Sequence, residues 1–427
     1  SDQQKSDLES IFGHVTNNWK SLDYVSGWFI KATDYIARAP GEAAFVATNS
    51  ICQGQQVAIL WKIILGKGFR IKFAHTSFKW ANLASNKAGV TVVIVGISRS
   101  TSNYSYLYLN DNRGNQSVRS VHNINGYLVP ADNIFIEKAL KPLNGLPEMT
   151  FGSKPVDGGH LLLNLSEKSE FSLSLHEEQR FIRPIFGSDE FIGGRQRFCI
   201  WIKDEDAELA LNTPRLADRI EKVRSMRLAS KKAATQKGAG WPHRFDERRQ
   251  VGDEIVIAVA AISSENRDYL PCGLLPKGTI VSNKCYAFLD KPIWVAAIVA
   301  SRIHWVWISA VCMRLEMRFS YSNTLGWNTF PVPPLTEKNT ADLTGCAENI
   351  LLAREAHFPA TIADLYDPEK MPDDLRAAHE RNDEVLERIY IGRRFKNDTE
   401  RLEKLFELYT KMTAEEKAGG KRKVKAS

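Results

Sequence analysis

Residues 43–57 read Ala43-Ala44-Phe45-Val46-Ala47-Thr48-Asn49-Ser50-Ile51-Cys52-Gln53-Gly54-Gln55-Gln56-Val57. A five-residue apolar run stops at Thr48-Asn49-Ser50, which is the pattern of a short buried strand. Upstream, Leu22, Val25, Phe29, Ala32 and Ile36 recur at helical spacing, and Pro40-Gly41 ends that helix. Downstream, Val57, Leu60, Trp61 and Ile64 mark a second helix that stops at Gly66 and Gly68. The Gly66-Lys67-Gly68 triplet resembles a phosphate loop, but two glycines after a helix read better as its C-terminal stop. Residues 70–74 and 90–97 give two further strands, the second rich in β-branched side chains. The order helix–strand–helix–strand–strand predicts an α/β layer ending in a hairpin. Three strands and two helices leave a sheet edge and much helical surface without partners. The expectation is therefore the second half of a larger α/β domain.

The whole chain has 427 residues, which suggests two or three domains. Its 43% hydrophobic and 25% charged residues lie near globular averages and exclude global disorder. The net charge of +7 is compatible with nucleic acid without demanding it. Most of the excess lies in residues 1–128, net +6, whereas residues 336–427 are net −2. The basic tail 417–427 reads as a solvated end. Six cysteines (52, 199, 272, 285, 312 and 346) form no C-x-x-C pair, which points to a reducing compartment and away from a zinc ribbon. Ser1 to Lys20 has no apolar signal core. The most apolar stretch, 293–313, is interrupted by Arg302 and His304, so it reads as a buried helix rather than a membrane span. A cytoplasmic protein is expected, with no membrane partner.

From residue 129 the pattern changes. Short runs at 190–192, 197–202, 254–262 and 279–289 are separated by Gly, Pro and Asn, predicting an irregular β-rich domain over 129–335. Two helical inserts, 214–232 and 293–313, interrupt it. After Pro331-Val332-Pro333-Pro334 the chain turns helical over 336–427. There Leu375, Ala378, Asn382, Leu386 and Ile389 form one stripe. Leu402, Leu405, Phe406, Tyr409 and Met412 form another behind an Asp398 cap. Both stripes read as internal packing.

No P-loop, dinucleotide fingerprint, G-x-S-x-G elbow or H-E-x-x-H occurs, and the nine histidines show no metal-ligand spacing. Three groups of motifs nevertheless point to one family. The first is Leu22-Asp23-Tyr24-Val25, residues 47–57, and Phe73-Ala74-His75-Thr76-Ser77-Phe78-Lys79-Trp80. The second is Asp157-Gly158-Gly159, Ser263-Ser264-Glu265-Asn266-Arg267 and the stretch from Tyr321 through Asn328-Thr329-Phe330-Pro331-Val332-Pro333. The third is Met371-Pro372, Ala378-His379 and Leu405-Phe406-Glu407-Leu408-Tyr409. In this order they resemble the MmeI-like restriction–modification enzymes, single-chain adenine methylases of type II.

The resemblance implies an architecture and an activity. Residues 1–128 would be the C-terminal half of a Rossmann-like methyltransferase sheet. Residues 129–335 would be a β-rich α+β target-recognition domain, and 336–427 a small all-α domain. The function implied is sequence-specific DNA recognition within a DNA adenine-N6 methyltransferase. S-adenosylmethionine would be bound mainly by an upstream half that also carries the family's N-P-P-[FY] motif, since no N-P-P occurs here. Partners would be double-stranded DNA and that N-terminal part of the same enzyme. No metal site and no methylation by this chain alone are expected. A non-catalytic DNA-binding specificity protein is the alternative.

Individual residues follow from this chemistry. A base-modifying enzyme holds an extruded base between flat side chains, which points to Phe78, then Trp80, in the loop between the last two strands of the layer. The alternative for these rings is a hydrophobic plug under the loop. Asn49 and Ser50 end a strand at the ligand-facing edge and either approach the nucleotide or cap a helix. The insert at 214–232 carries seven cations, of which Arg219, Arg224 and Arg227 are the phosphate candidates against a solvated-face reading. Trp241, His243 and Arg244 are groove contacts or a loop anchor. Glu316 and Arg318 lie two apart, on one face of a presumed strand. The carboxylate there could accept from cytosine while the guanidinium reaches guanine. A surface salt bridge is the bland alternative. Asn283 and Lys284 are weaker base-reading candidates.

Overall fold

The computed structural model describes residues 1–39, 41–80, 90–99, 103–110, 116–315 and 318–425. Among the described residues the α/β layer contains five strands, two more than the sequence predicts: β1 (Glu42–Thr48), β2 (Arg70–Lys79), β3 (Thr91–Ser98), β4 (Ser105–Asn110) and β5 (Gln116–Val121). They lie in the order β1-β3-β2-β4-β5. All neighbours are antiparallel except β2 and β4. The predicted hairpin is the β2–β3 pair.

Alternation along the strands sorts the residues onto two faces. Phe45, Val95, Ala74 and Leu107 share one row across four strands, and this face is the buried one. Helix α1 (Asp2–Phe12) precedes helix α2 (Ser26–Ile36). From α2, Phe29 meets Phe45 at 4.8 Å between ring centroids, and Trp61 meets Phe29 edge-on at 5.8 Å. On the opposite face, His75 and Tyr108 lie in register on the parallel β2–β4 pair, their rings stacked at 4.2 Å. Gly96 is required on this face, because a Cβ there would lie 2.2 Å from the Phe73 ring.

Two compact units emerge, and each is interleaved along the chain. One comprises Ser1–Leu146, Ile303–Pro334 and Glu387–Ser427, the other Pro147–Arg302 and Leu335–Leu386. The second holds two four-stranded sheets. In one, Val256–Ala260 is central and buried along its whole length. In the other, Ile182–Phe186 and Phe198–Ile200 pack against helix α3 (Pro214–Leu228) through Leu216, Ile220 and Val223. The C-terminal region is helical: α4 (Glu337–Glu355), α5 (Asp373–Ile391) and α6 (Asp398–Lys425). In the first unit α6 meets Tyr127 and Trp307 through Phe406, at 5.2 and 5.8 Å.

The insert expected as one helix over 293–313 is two, Trp294–Val299 and Arg302–Val311, with Met313 already in a strand. Between them Ser301 turns its hydroxyl back to the Ile298 carbonyl at 2.6 Å, the local competition that favours a break over helix interior. No helix among the described residues is long and apolar enough to cross a membrane. All six cysteines are free and buried.

In the second unit, Arg354 donates to the Tyr366 hydroxyl (2.8 Å) and to the Cys272 carbonyl (2.6 Å). Tyr366 bonds His379 Nε2 at 2.7 Å, and His379 Nδ1 lies 3.1 Å from the Ala300 carbonyl. A carbonyl only accepts, so the neutral ring donates from Nδ1 and accepts at Nε2. Burial pushes His379 down to about 3, and burial does the same to His304 in the other unit. The unfolded chain binds protons on these rings below about pH 6.5 while the folded chain does not. Their contribution to stability is therefore complete above that pH and is lost as pH falls towards 3. Each ring should cost about 2 kcal/mol between pH 7 and pH 5. Thermal melting across that range should fall steeply, and His379→Gln should flatten the decline in the transition it governs. An unchanged pH profile in that variant would mean the ring is not held neutral.

Candidate DNA interface

The loop after β1 is built rigidly. Ser50 donates to the Asp23 carboxylate, and Trp61 Nε1 donates to the Ile51 carbonyl at 2.8 Å. Gln56 Oε1 accepts from the Asp23 backbone amide at 3.0 Å. Asn49 is buried, its Nδ2 3.5 Å from Ser77 Oγ, so it links the loop to the end of β2. No side-chain cap is formed at the turn Asn49–Cys52, so the capping alternative for Asn49 and Ser50 is not what these side chains do. Gln53 is a residue the sequence did not single out. It is buried, and its Oε1 has no hydrogen-bond partner among the described residues.

Phe78 lies on β2 itself, not in a loop as expected. After a register shift it pairs with Val92, one residue before the strand ends at Lys79. Its ring is half-buried and 6.2 Å from that of Trp80, which is 44% exposed. Trp80 follows the strand and donates its amide to the Val90 carbonyl at 2.8 Å. Two aromatic rings thus stand at one end of β2, beside Asn49 and Ser77.

Glu316 lies outside the described residues. Arg318 does not continue the strand before it: Met313–Leu315 and Arg318–Ser320 are the two arms of an antiparallel hairpin, with Leu315 opposite Arg318. The single uninterrupted strand expected through Arg318 is therefore not formed, and the pairing of Arg318 with Glu316 falls outside the described residues. Arg318 itself is exposed at the start of the second arm, where Arg314 covers the Phe319 ring at 4.1 Å.

In the second unit the three phosphate candidates separate. Arg227 is fully buried. Its guanidinium donates to the carbonyls of Pro155, Val156, Gly238, Trp241 and Arg244 at 2.8–3.0 Å. Spacing explains it: 216, 220, 223 and 227 share one face of α3, and that face is the inner one. A phosphate role for Arg227 is excluded. Arg219 is half-buried over the Phe171 ring at 5.6 Å. Arg224 points outward and forms an ion pair with Glu221 at 3.4 Å, and such exposed pairs hold a side chain weakly. Trp241, His243 and Arg244 form an anchor rather than a groove surface. Asp204 gathers His243 at 2.8 Å, Arg244 at 2.5 Å and Arg248 at 2.7 Å. Burial works to raise the Asp204 carboxyl, but the bonds from His243 and Arg248 outweigh it and hold it below its ordinary range. Asn283 and Lys284 occupy a turn rather than a strand surface, between Ile280–Val281 and Cys285–Leu289, with Lys284 exposed. Among the described residues no cluster of His, Cys, Asp and Glu could hold a metal ion.

Comparison with known proteins identifies this combination. Residues 1–109 match the DNA-methyltransferase domain of MmeI, 130–334 its target recognition domain and 335–416 its C-terminal domain. The chain is 38% identical over 412 residues to DNA methyltransferase A of Bacillus subtilis (strain 168), covering 96% of this chain and 46% of that protein. It superposes on the type IIL restriction–modification enzyme MmeI in complex with DNA with a TM-score of 0.85 at 35% identity, covering 97% of this chain and 55% of the other. The chain thus spans about half the length of the relatives it matches. Three consecutive domains of one enzyme type, in order and over nearly the full length, mean that the chain belongs to the family of MmeI-type restriction–modification DNA methyltransferases with their own target-recognition domain.

Proposed function

We propose that this chain supplies the DNA-reading portion and the second half of the methylase layer of an S-adenosylmethionine-dependent, cytoplasmic DNA adenine-N6 methyltransferase. Segment 1–128 is the methylase half, 129–335 reads the target, and 336–427 is the helical C-terminal domain. One observation carries the reading. β1 stands at the edge of its sheet with β3 as its only strand neighbour among the described residues, while the relatives are about twice as long. An upstream half of the sheet, continuing from β1, completes the Rossmann-like layer and holds the cofactor.

The residues present do not fit the cofactor themselves. Ile51 and Cys52 fill the interior of the loop after β1, and Met313 closes on Gly54, leaving no cradle there. No methyl-transfer step is therefore assigned to this chain, which alone should not methylate. Its own residues bind and orient DNA: Arg219 and Arg224 contact phosphates, Arg318 reads a base edge, and Phe78 with Trp80 receives an extruded base beside Asn49 and Ser50. Asn283 and Lys284 are retained as a second base-reading pair on their turn.

Duplex binding by this chain should weaken steeply as salt rises, because released counterions drive such contacts. Replacing Arg219 and Arg224 with alanine should weaken binding to all sequences alike and lower the slope of log K against log salt by about 2, since each phosphate contact contributes about 0.9. Fluorescence anisotropy between 50 and 200 mM salt measures both. An unchanged affinity and slope would leave α3 as a solvated face.

A further inference from the structure

Gly54 combines two features that no other residue type tolerates together. Its φ is +57°, and a Cβ there would lie 2.7 Å from Met313 Cγ, 3.6 Å from Met313 N and 3.7 Å from its Cα. The backbone of the loop after β1 therefore rests directly on the first residue of the Met313–Leu315/Arg318–Ser320 hairpin, within one compact unit. The loop cannot yield. It is tied by Asn49 to Ser77, by Ser50 to Asp23, by the Ile51 carbonyl to Trp61, and by Gln56 to Asp23. Met313, by contrast, is 44% exposed and opens a three-residue strand that, among the described residues, pairs with one strand of equal length. Any conflict at Gly54 is thus relieved by moving the hairpin.

We propose that Gly54 and Met313 are positioning residues, a rigid seat that fixes the hairpin carrying Arg318 relative to the loop holding Asn49. Base reading at the hairpin and presentation of a base at Phe78 are then set by one contact. The proposal rests on the DNA-reading function above. It predicts that a substitution at Gly54, more than 250 residues before Met313 in sequence, changes specificity at one position without changing the rest.

The test is selection from a randomised duplex pool by the chain itself, with melting temperature measured in parallel. Gly54→Ala should lower preference about tenfold at the position that Arg318→Ala also affects, the scale of one lost base contact, leaving other positions alone. Met313→Ala should lower it about threefold with little change in melting. In the double variant the alanine at 54 faces the space vacated by Cγ, with the remaining Met313 backbone distances in ordinary contact range. The clash is then removed while the strain of the positive φ at 54 remains, so the double variant should discriminate better at that position than Gly54→Ala alone, a coupling that two independent defects would not show. Should Gly54→Ala not fold, Met313→Ala decides: parental preference at every position overturns the seat. Equal loss at all positions, or no rescue in the double variant, also overturns it. A parent chain that selects no sequence removes the DNA-reading function and the seat with it.

Discussion

Arg227→Ala should unfold the second unit about 10 °C below the parent chain. The guanidinium satisfies five carbonyls from three places, residues 155–156, 238–241 and 244. Truncation leaves these acceptors without a donor in a site from which solvent is excluded. An abandoned buried acceptor costs roughly 1–3 kcal/mol, and water entering the space left by the side chain recovers part of that. A net loss of about 4 kcal/mol remains, the range seen when one member of a buried charged group is removed. For a unit of this size each kcal/mol corresponds to roughly 2–4 °C. Arg227→Lys should rescue only partly, because an ammonium has three donors and no planar fork. Arg224→Ala is the control: outward on the same helix, it should change stability by less than about 0.5 kcal/mol while weakening DNA binding. Calorimetry on the three variants decides. An Arg227→Ala chain that melts like the parent, yet binds DNA with a shallower salt dependence, would restore the phosphate role.

The burial of Arg227 was itself legible in the spacing of its neighbours. The stripe Leu216, Ile220 and Val223 was present at helical spacing, and 227 falls on it. A count of cations does not distinguish Arg227 from the outward Arg224, whereas the apolar stripe does. The layer around residues 43–57 was legible because strand, helix and hairpin each carry their own periodicity. β4 and β5 were missed although Tyr106, Leu107, Tyr108 and Leu109 are strand-forming residues. β5, with Gln116, Ser117, Arg119 and Ser120, has almost no apolar face to announce it. The pairing of Met313–Leu315 with Arg318–Ser320 is not legible from the sequence, because no Gly, Asn, Asp or Pro between Met313 and Ser320 marks a turn between two strands. The Gly54–Met313 contact was beyond reach, since it joins residues more than 250 positions apart and depends on a backbone angle. Resemblance supplied what periodicity could not, the order of the three segments and the chemistry they serve.

In an enzyme that contains the whole methylase layer, Phe78→Ala should reduce methylation by a factor of about 10 to 100 and DNA affinity by less than about threefold. Stacking of a base on an aromatic ring is worth about 1–3 kcal/mol, and an extruded base draws on it only after the duplex is bound. Affinity, carried mainly by phosphate contacts elsewhere, should hardly register the loss. The position of the ring separates this role from that of a hydrophobic plug. A plug would be enclosed, whereas Phe78 is half-buried at the end of β2, with the exposed Trp80 ring 6.2 Å away and Asn49 close by through Ser77. Truncating a half-buried ring next to a strand end should cost less stability than the 3–5 kcal/mol of a core phenylalanine, so the variant should fold. Phe78→Trp should retain most activity, because a flat face rather than a hydrogen bond is required, and Trp80→Ala should have the smaller effect. Methylation rate at saturating DNA, read beside binding and melting, distinguishes the outcomes. If Phe78→Ala yields no folded protein, or lowers binding and methylation in equal measure, the ring supports the strand end and does not hold a base.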